Sequence, residues 1–89
     1  MQDVLITRVR LTRKALKDLK SVPYFIIYKF EVWSSLVEMR GLEEVRKISE
    51  FHDEPLKGKR TGQRSIRLNK SYRAIYIIVE NEISFIEVI

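Results

Sequence analysis

Apolar and polar residues alternate at the start of the chain, where Val4-Leu5-Ile6 leads into Arg8, Val9, Arg10 and Leu11. A period of two sends successive side chains to opposite faces, so the pattern predicts a first strand. The period then changes. Ala15, Leu16 and Leu19 recur at the spacing of a buried helical stripe, and Thr12 is placed to cap a helix running to about Lys20. Ser21-Val22-Pro23 ends it, because proline breaks the helical ladder and disfavours helix at the residue before it. Pro23 suits the first turn of a second helix, which runs to about Arg40 and stops at Gly41. Its buried face is drawn from Ile26, Ile27, Phe30, Trp33, Leu36 and Val37, and Phe25 is also read as core. So short a link packs the two helices as an antiparallel hairpin.

A minor helix from about Leu42 to Ile48 follows. From Ser49 to Arg60 the chain reads as a loop, rich in charge and broken by Pro55 and Gly58. Three strands are then predicted, at about 63–69, 72–80 and 83–89, with hairpin links at Lys70-Ser71 and Asn81-Glu82. Neither link is the favoured Asn-Gly pair. The order of strand, two helices and antiparallel meander predicts an α+β fold, one sheet with the helices on one face.

Length and composition narrow the class. Eighty-nine residues make one domain, 1–89, and 45% apolar with 33% charged residues is the balance of a folded protein. Cysteine is absent, which excludes a disulfide framework or a cysteine zinc site. With His52 as the single histidine, no metal and no cofactor is expected. No apolar run reaches the ~18–20 residues of a membrane span, so no membrane partner and a cytoplasmic location are expected.

Charge changes the picture most. Lys57, Lys59, Arg60, Arg64, Arg67, Lys70 and Arg73 fall in one stretch without an acidic residue, and the whole chain carries a net charge of +5. Outside that stretch acidic residues outnumber basic ones. Such a concentration suits a polyanion, whose neutralised phosphates release counterions; the alternative is a solvated basic hairpin.

Four segments carry a resemblance. They are Gly41-Leu42-Glu43-Glu44-Val45-Arg46-Lys47-Ile48, His52-Asp53-Glu54-Pro55-Leu56-Lys57-Gly58, Gly62-Gln63-Arg64-Ser65-Ile66-Arg67-Leu68 and Ser71-Tyr72-Arg73-Ala74-Ile75-Tyr76. In this order and spacing they resemble the RelE/ParE superfamily of bacterial toxins, in its HigB-like branch. The resemblance spans essentially the whole chain. It implies a compact sheet carrying two packed helices, a cognate antitoxin as partner, and one of two activities. RelE- and HigB-type toxins enter the ribosomal A site and cut mRNA, whereas ParE-type toxins poison DNA gyrase without nuclease activity. The Leu-Lys-Gly and Gln-Arg-Ser-Ile-Arg-Leu wording is closer to the mRNA-cleaving branch, with ribosome and mRNA as partners. A third reading is an inactive RNA- or antitoxin-binding module.

The resemblance assigns Arg73 to stabilisation of the transition-state phosphate; the alternative is a hairpin-end arginine paired with a neighbouring glutamate. Arginine suits the task because its planar fork binds phosphate oxygens in pairs and stays charged. Alternation puts Gln63, Ser65 and Arg67 on one strand face and Arg64, Ile66 and Leu68 on the other. The resemblance aligns Arg67 with a basic strand residue of the RelE branch, which makes it the second catalytic candidate, while Arg64, on the other face, either contacts rRNA or packs over the core edge. Lys57, Lys59, Arg60 and Lys70 are read as contacts to the rRNA backbone, or as a solvated loop. His52, a histidine in a loop, could act as a general base at neutral pH, but it is set aside as a site residue because the resemblance places no catalytic residue there, and Asp53 and Glu54 beside it would repel RNA. Tyr72 and Tyr76 are read as packing residues. HigB-like relatives continue past the last strand into a polar tail that contributes to catalysis. The sequence ends at Ile89, so weakened activity is expected.

Overall fold

The computed structural model describes residues 5–89. Strand β1 (Val9–Leu11) leads into helices α1 (Arg13–Leu19), α2 (Tyr24–Arg40) and the short α3 (Leu42–Val45). Four strands follow: β2 (Glu54–Pro55), β3 (Arg64–Arg67), β4 (Arg73–Val79) and β5 (Glu82–Val88). They form one five-stranded sheet in the order β1-β5-β4-β3-β2. β1 runs parallel to β5, and every other pair is antiparallel. The expected meander is therefore β3-β4-β5, and the first strand joins it beside the last.

Local chemistry explains most element ends. Thr12 caps α1 by accepting the Ala15 N–H at 3.2 Å. Gly41 stops α2 in the left-handed region, at φ 86°. The β4–β5 turn lies at Glu80-Asn81, one residue before the expected link. Both residues have positive φ there, 52° and 65°, as the right-handed twist of a two-residue hairpin requires. The helix-facing side of the sheet supplies Ile66, Ala74, Tyr76, Ile83, Phe85 and Val88 to the core, opposite Ala15, Leu19, Ile26, Phe30, Trp33 and Val37. At its centre the Phe85 ring lies 4.8 Å from that of Phe30 and 5.3 Å from that of Trp33. Each aromatic pair of this kind adds about 0.5–1.5 kcal/mol beyond the area it buries.

Several expectations need correction. Val4 lies outside the described residues, and the strand begins only at Val9. Before that the chain follows a different partner: the Ile6 carbonyl accepts the Leu42 N–H at 2.8 Å, drawing this segment to the start of α3 and away from the sheet. The minor helix ends at Val45 rather than Ile48. Leu16 and Phe25 are exposed, because Ala15 and Ile26 beside them take the core positions. The Ser49–Arg60 segment contains a short strand, β2, which Pro55 disguises as loop. Among the described residues, no helix is long and apolar enough to cross a membrane.

Candidate functional site

The sheet face away from the helices is where the charged residues converge. Register pairs Glu54 with Ser65, Arg67 with Arg73, Ser65 with Ile75 and Ile75 with Glu87. Directly paired residues share a face, so Glu54, Ser65, Arg67, Arg73 and Glu87 all project to the open side.

Arg73 is held at three points. Its Nη2 donates to Glu54 Oε1 at 2.8 Å and to Ser65 Oγ at 2.8 Å, and its Nε donates to the same hydroxyl at 3.1 Å. Ser65 is buried beneath it, with 1% of its surface exposed. The other Glu54 oxygen lies 3.3 Å from His52 Nε2. Arg60 curls back from its turn, donating to Gln63 Oε1 at 2.9 Å and to Glu87 Oε1 at 2.7 Å. Arg67 is exposed beside Arg73 and makes no ion pair with any described residue. The face thus carries three guanidinium groups, of which Arg73 is bonded to Glu54 of a carboxylate–imidazole pair, Arg67 stands opposite Arg73 and Arg60 is bonded to Glu87. Arginines held by fixed partners are preorganised anion donors, and a carboxylate next to an imidazole can take and give protons.

The remaining basic residues surround this face. Lys57 and Lys59 are exposed at the turn before β3. Lys70 is exposed at the β3–β4 turn, which Asn69 shapes by accepting the N–H groups of Ser71 and Tyr72 at 2.7 and 2.8 Å. Arg64 lies apart. It points to the helix-packed side, where its Nε donates to Asp53 Oδ1 at 2.8 Å, so of its two sequence readings the structure displays packing over the core edge. Asp53 also accepts the Tyr76 hydroxyl at 2.7 Å. Burial, then that bond to Asp53, pushes the Tyr76 hydroxyl well above its ordinary value. The side chain of Asp53 is fully buried and presents no charge to a ligand on the open side.

Sequence reasoning missed Glu54, Ser65, Gln63 and Glu87 as members of this face and set His52 aside. Glu54 gave no periodic signal because β2 has two residues and one is proline. Glu87 did carry a signal: it is the lone charge among the apolar residues from Ile83 to Ile89. Arg73 does pair with a glutamate, but with Glu54 across the sheet rather than one at its own hairpin end.

The fold is that of RelE-like proteins. Escherichia coli YafQ is similar over 90% of this chain and 88% of its own, with a TM-score of 0.72 and 17% identity. A chain of the archaeal RelE–RelB complex from Pyrococcus horikoshii is similar over 94% of this chain and 93% of its own, with a TM-score of 0.70 and 25% identity. A chain of the toxin–antitoxin complex RelBE2 from Mycobacterium tuberculosis covers 96% of each, with a TM-score of 0.64 and 23% identity. No protein-family model matches the sequence, and no curated protein matches it.

Proposed function

We propose that this protein, as a single domain, is the toxin of a type II toxin–antitoxin system and cuts mRNA on the ribosome without a metal. The observation that carries the reading is the open-face cluster, in which Arg73, with Arg67 paired opposite it, is bonded to Glu54, and Glu54 lies 3.3 Å from His52. The RelE-like fold and the four-segment resemblance, HigB-like in its order and spacing, support it, and the Leu-Lys-Gly and Gln-Arg-Ser-Ile-Arg-Leu wording favours the mRNA-cleaving branch. Complexes of similar chains with antitoxins support a cognate antitoxin as partner.

Cleavage of an RNA strand through its own 2′-hydroxyl requires three things. The hydroxyl must lose a proton, the phosphorane charge must be borne, and the leaving 5′-oxygen must gain a proton. Glu54 takes the first proton. Arg73 and Arg67 bear the charge on the non-bridging oxygens, and Arg60, bonded to Glu87, extends the cationic track along the sheet face. His52, in its protonated form, donates to the 5′-oxygen, leaving a 2′,3′-cyclic phosphate and a 5′-hydroxyl. Lys57, Lys59 and Lys70 contact the rRNA backbone, and the ribosome holds the mRNA in an attack geometry.

Primer extension on an mRNA translated in a reconstituted system tests this. The wild-type chain is expected to cut at codon spacing. Arg73→Ala is expected to cut ~100- to 1000-fold more slowly, the usual cost of one transition-state donor. Intact mRNA with the wild-type chain, or undiminished cutting by Arg73→Ala, sinks the reading, and DNA gyrase becomes the target to test.

A further inference from the structure

We infer that Asp53 is the positioning residue of the candidate site, tying β2 to β3 and β4 from the helix-packed side and so holding Glu54 and His52 against Arg73 on the open side. The inference rests on the reading of the open face as the place of cleavage, but its structural half stands apart from that reading.

β2 has few backbone bonds of its own between the buried Phe51 and the Glu54–Arg73 pair. It spans two residues, pairing Glu54 with Ser65 and Pro55 with Arg64. Pro55 has no N–H to donate, and the next ladder-like bond is from Leu56 N to the Gln63 carbonyl at 2.8 Å. Among the described residues β2 is also the sheet edge, with no strand beyond it. Before it, His52 turns the chain with a positive φ of 45°, a conformation that needs support from its surroundings.

Asp53 supplies that support. Its Oδ1 accepts from Arg64 Nε at 2.8 Å and its Oδ2 from the Tyr76 hydroxyl at 2.7 Å. Arg64 and Tyr76 face each other across β3 and β4, so one carboxylate clips the edge segment to two strands at once. Tyr76 is itself fixed in the core, its ring 5.7 Å from that of Trp33. With Asp53 anchored inward, its neighbour Glu54 is turned outward to Arg73 and His52. A buried carboxylate with both oxygens engaged has no room to drift, and precision of this kind decides whether a proton acceptor sits in range.

The test uses the full chain with Tyr76→Phe, which keeps the ring and removes only the hydroxyl, and Asp53→Asn, which weakens both arms. Two quantities are measured: backbone amide exchange by NMR, and single-turnover mRNA cleavage at saturating ribosomes alongside ribosome affinity. In both variants the amides of residues 52–54, 56 and 57, with Leu56 as reporter, are expected to exchange at least tenfold faster, while those of Ile83 and Phe85 change far less. Cleavage is expected to fall at least tenfold with ribosome affinity within twofold of wild type. Exchange that rises evenly over the whole chain, or leaves 52–57 unchanged, overturns the inference. Local loosening with full cleavage overturns it too, since Asp53 would then hold the edge without positioning the site. A wild-type chain that cuts no mRNA sinks the cleavage reading instead, and the exchange result alone then decides whether Asp53 anchors β2.

Discussion

Asp18 shows how one side chain can complete a sheet. β1 ends at Leu11, so the stretch of β5 beyond Phe85 has no strand on that side. The chain turns there into α1, and the Asp18 carboxylate accepts the orphaned Val88 N–H at 3.0 Å. Lys14, one helical turn earlier, donates to the same carboxylate at 3.0 and 3.2 Å. The bond from Val88 and then the bond from Lys14 hold Asp18 below its ordinary value of 3.8. A carboxylate depressed by folding stabilises the fold above its unfolded pKa, and the contribution fades as pH falls through the folded one. Thermal melts should therefore show wild type losing its advantage over Asp18→Asn as pH drops from about 5 to about 2. A difference that stays constant over that range would mean that the Asp18 charge contributes nothing. The Lys14–Asp18 pair has the four-residue spacing of a helical ion pair, a signal local to α1. The bond to Val88 has no such signal, because 70 positions separate the partners and nothing local records it.

At the scale of elements, what was legible depended on whether an element's partners lie close in sequence. The helices and the β3-β4-β5 meander follow from periodicity and capping, and the parity of β3 correctly separated Arg64 from Arg67. The short edge strand β2 was hidden. β2 exists because Glu54 meets Ser65 and Asp53 meets Arg64 and Tyr76, all later in the chain, and Pro55 argues locally against a strand. The site followed the same division: Arg73 and Arg67 lie in a regular hairpin, whereas Glu54 and His52 belong to the segment that only tertiary contacts shape. Gly41 joins two elements and can be tested directly. It holds φ 86° between α2 and α3, and a Cβ there would stand 3.0 Å from the Leu5 side chain. Gly41→Ala should lower stability by about 1–3 kcal/mol, the cost of holding a residue with a Cβ in this positive-φ, extended-ψ conformation that only glycine adopts readily. Urea unfolding checks this: the midpoint falls while the slope stays the same. An unchanged midpoint would show that the α2–α3 corner relaxes freely.

For the whole molecule, the decisive property is which of its cations are free to meet a polyanion. The formal charge of +5 overstates the unity of the basic stretch, because the fold distributes its members differently. Arg60 is matched by Glu87, Arg64 by Asp53 and Arg73 by Glu54. Lys57, Lys59, Arg67 and Lys70 are exposed and make no ion pair with any described residue. Each free cation that neutralises a phosphate releases counterion and contributes about −0.7 to −0.9 to the slope of log affinity against log salt. With these four engaged, ribosome binding should fall with a slope of about −3. Removing two of them in Lys57→Gln/Lys59→Gln should flatten the slope by about 1.5. Arg64→Gln should leave it unchanged, because its guanidinium is spent on a buried carboxylate. Filter binding over a salt series measures all three. A flattened slope in Arg64→Gln would move that residue into the interface and show that Asp53 releases it when the ribosome binds. An unaltered slope in the double lysine variant would place the contact elsewhere, leaving the open-face arginines as its remaining cationic surface.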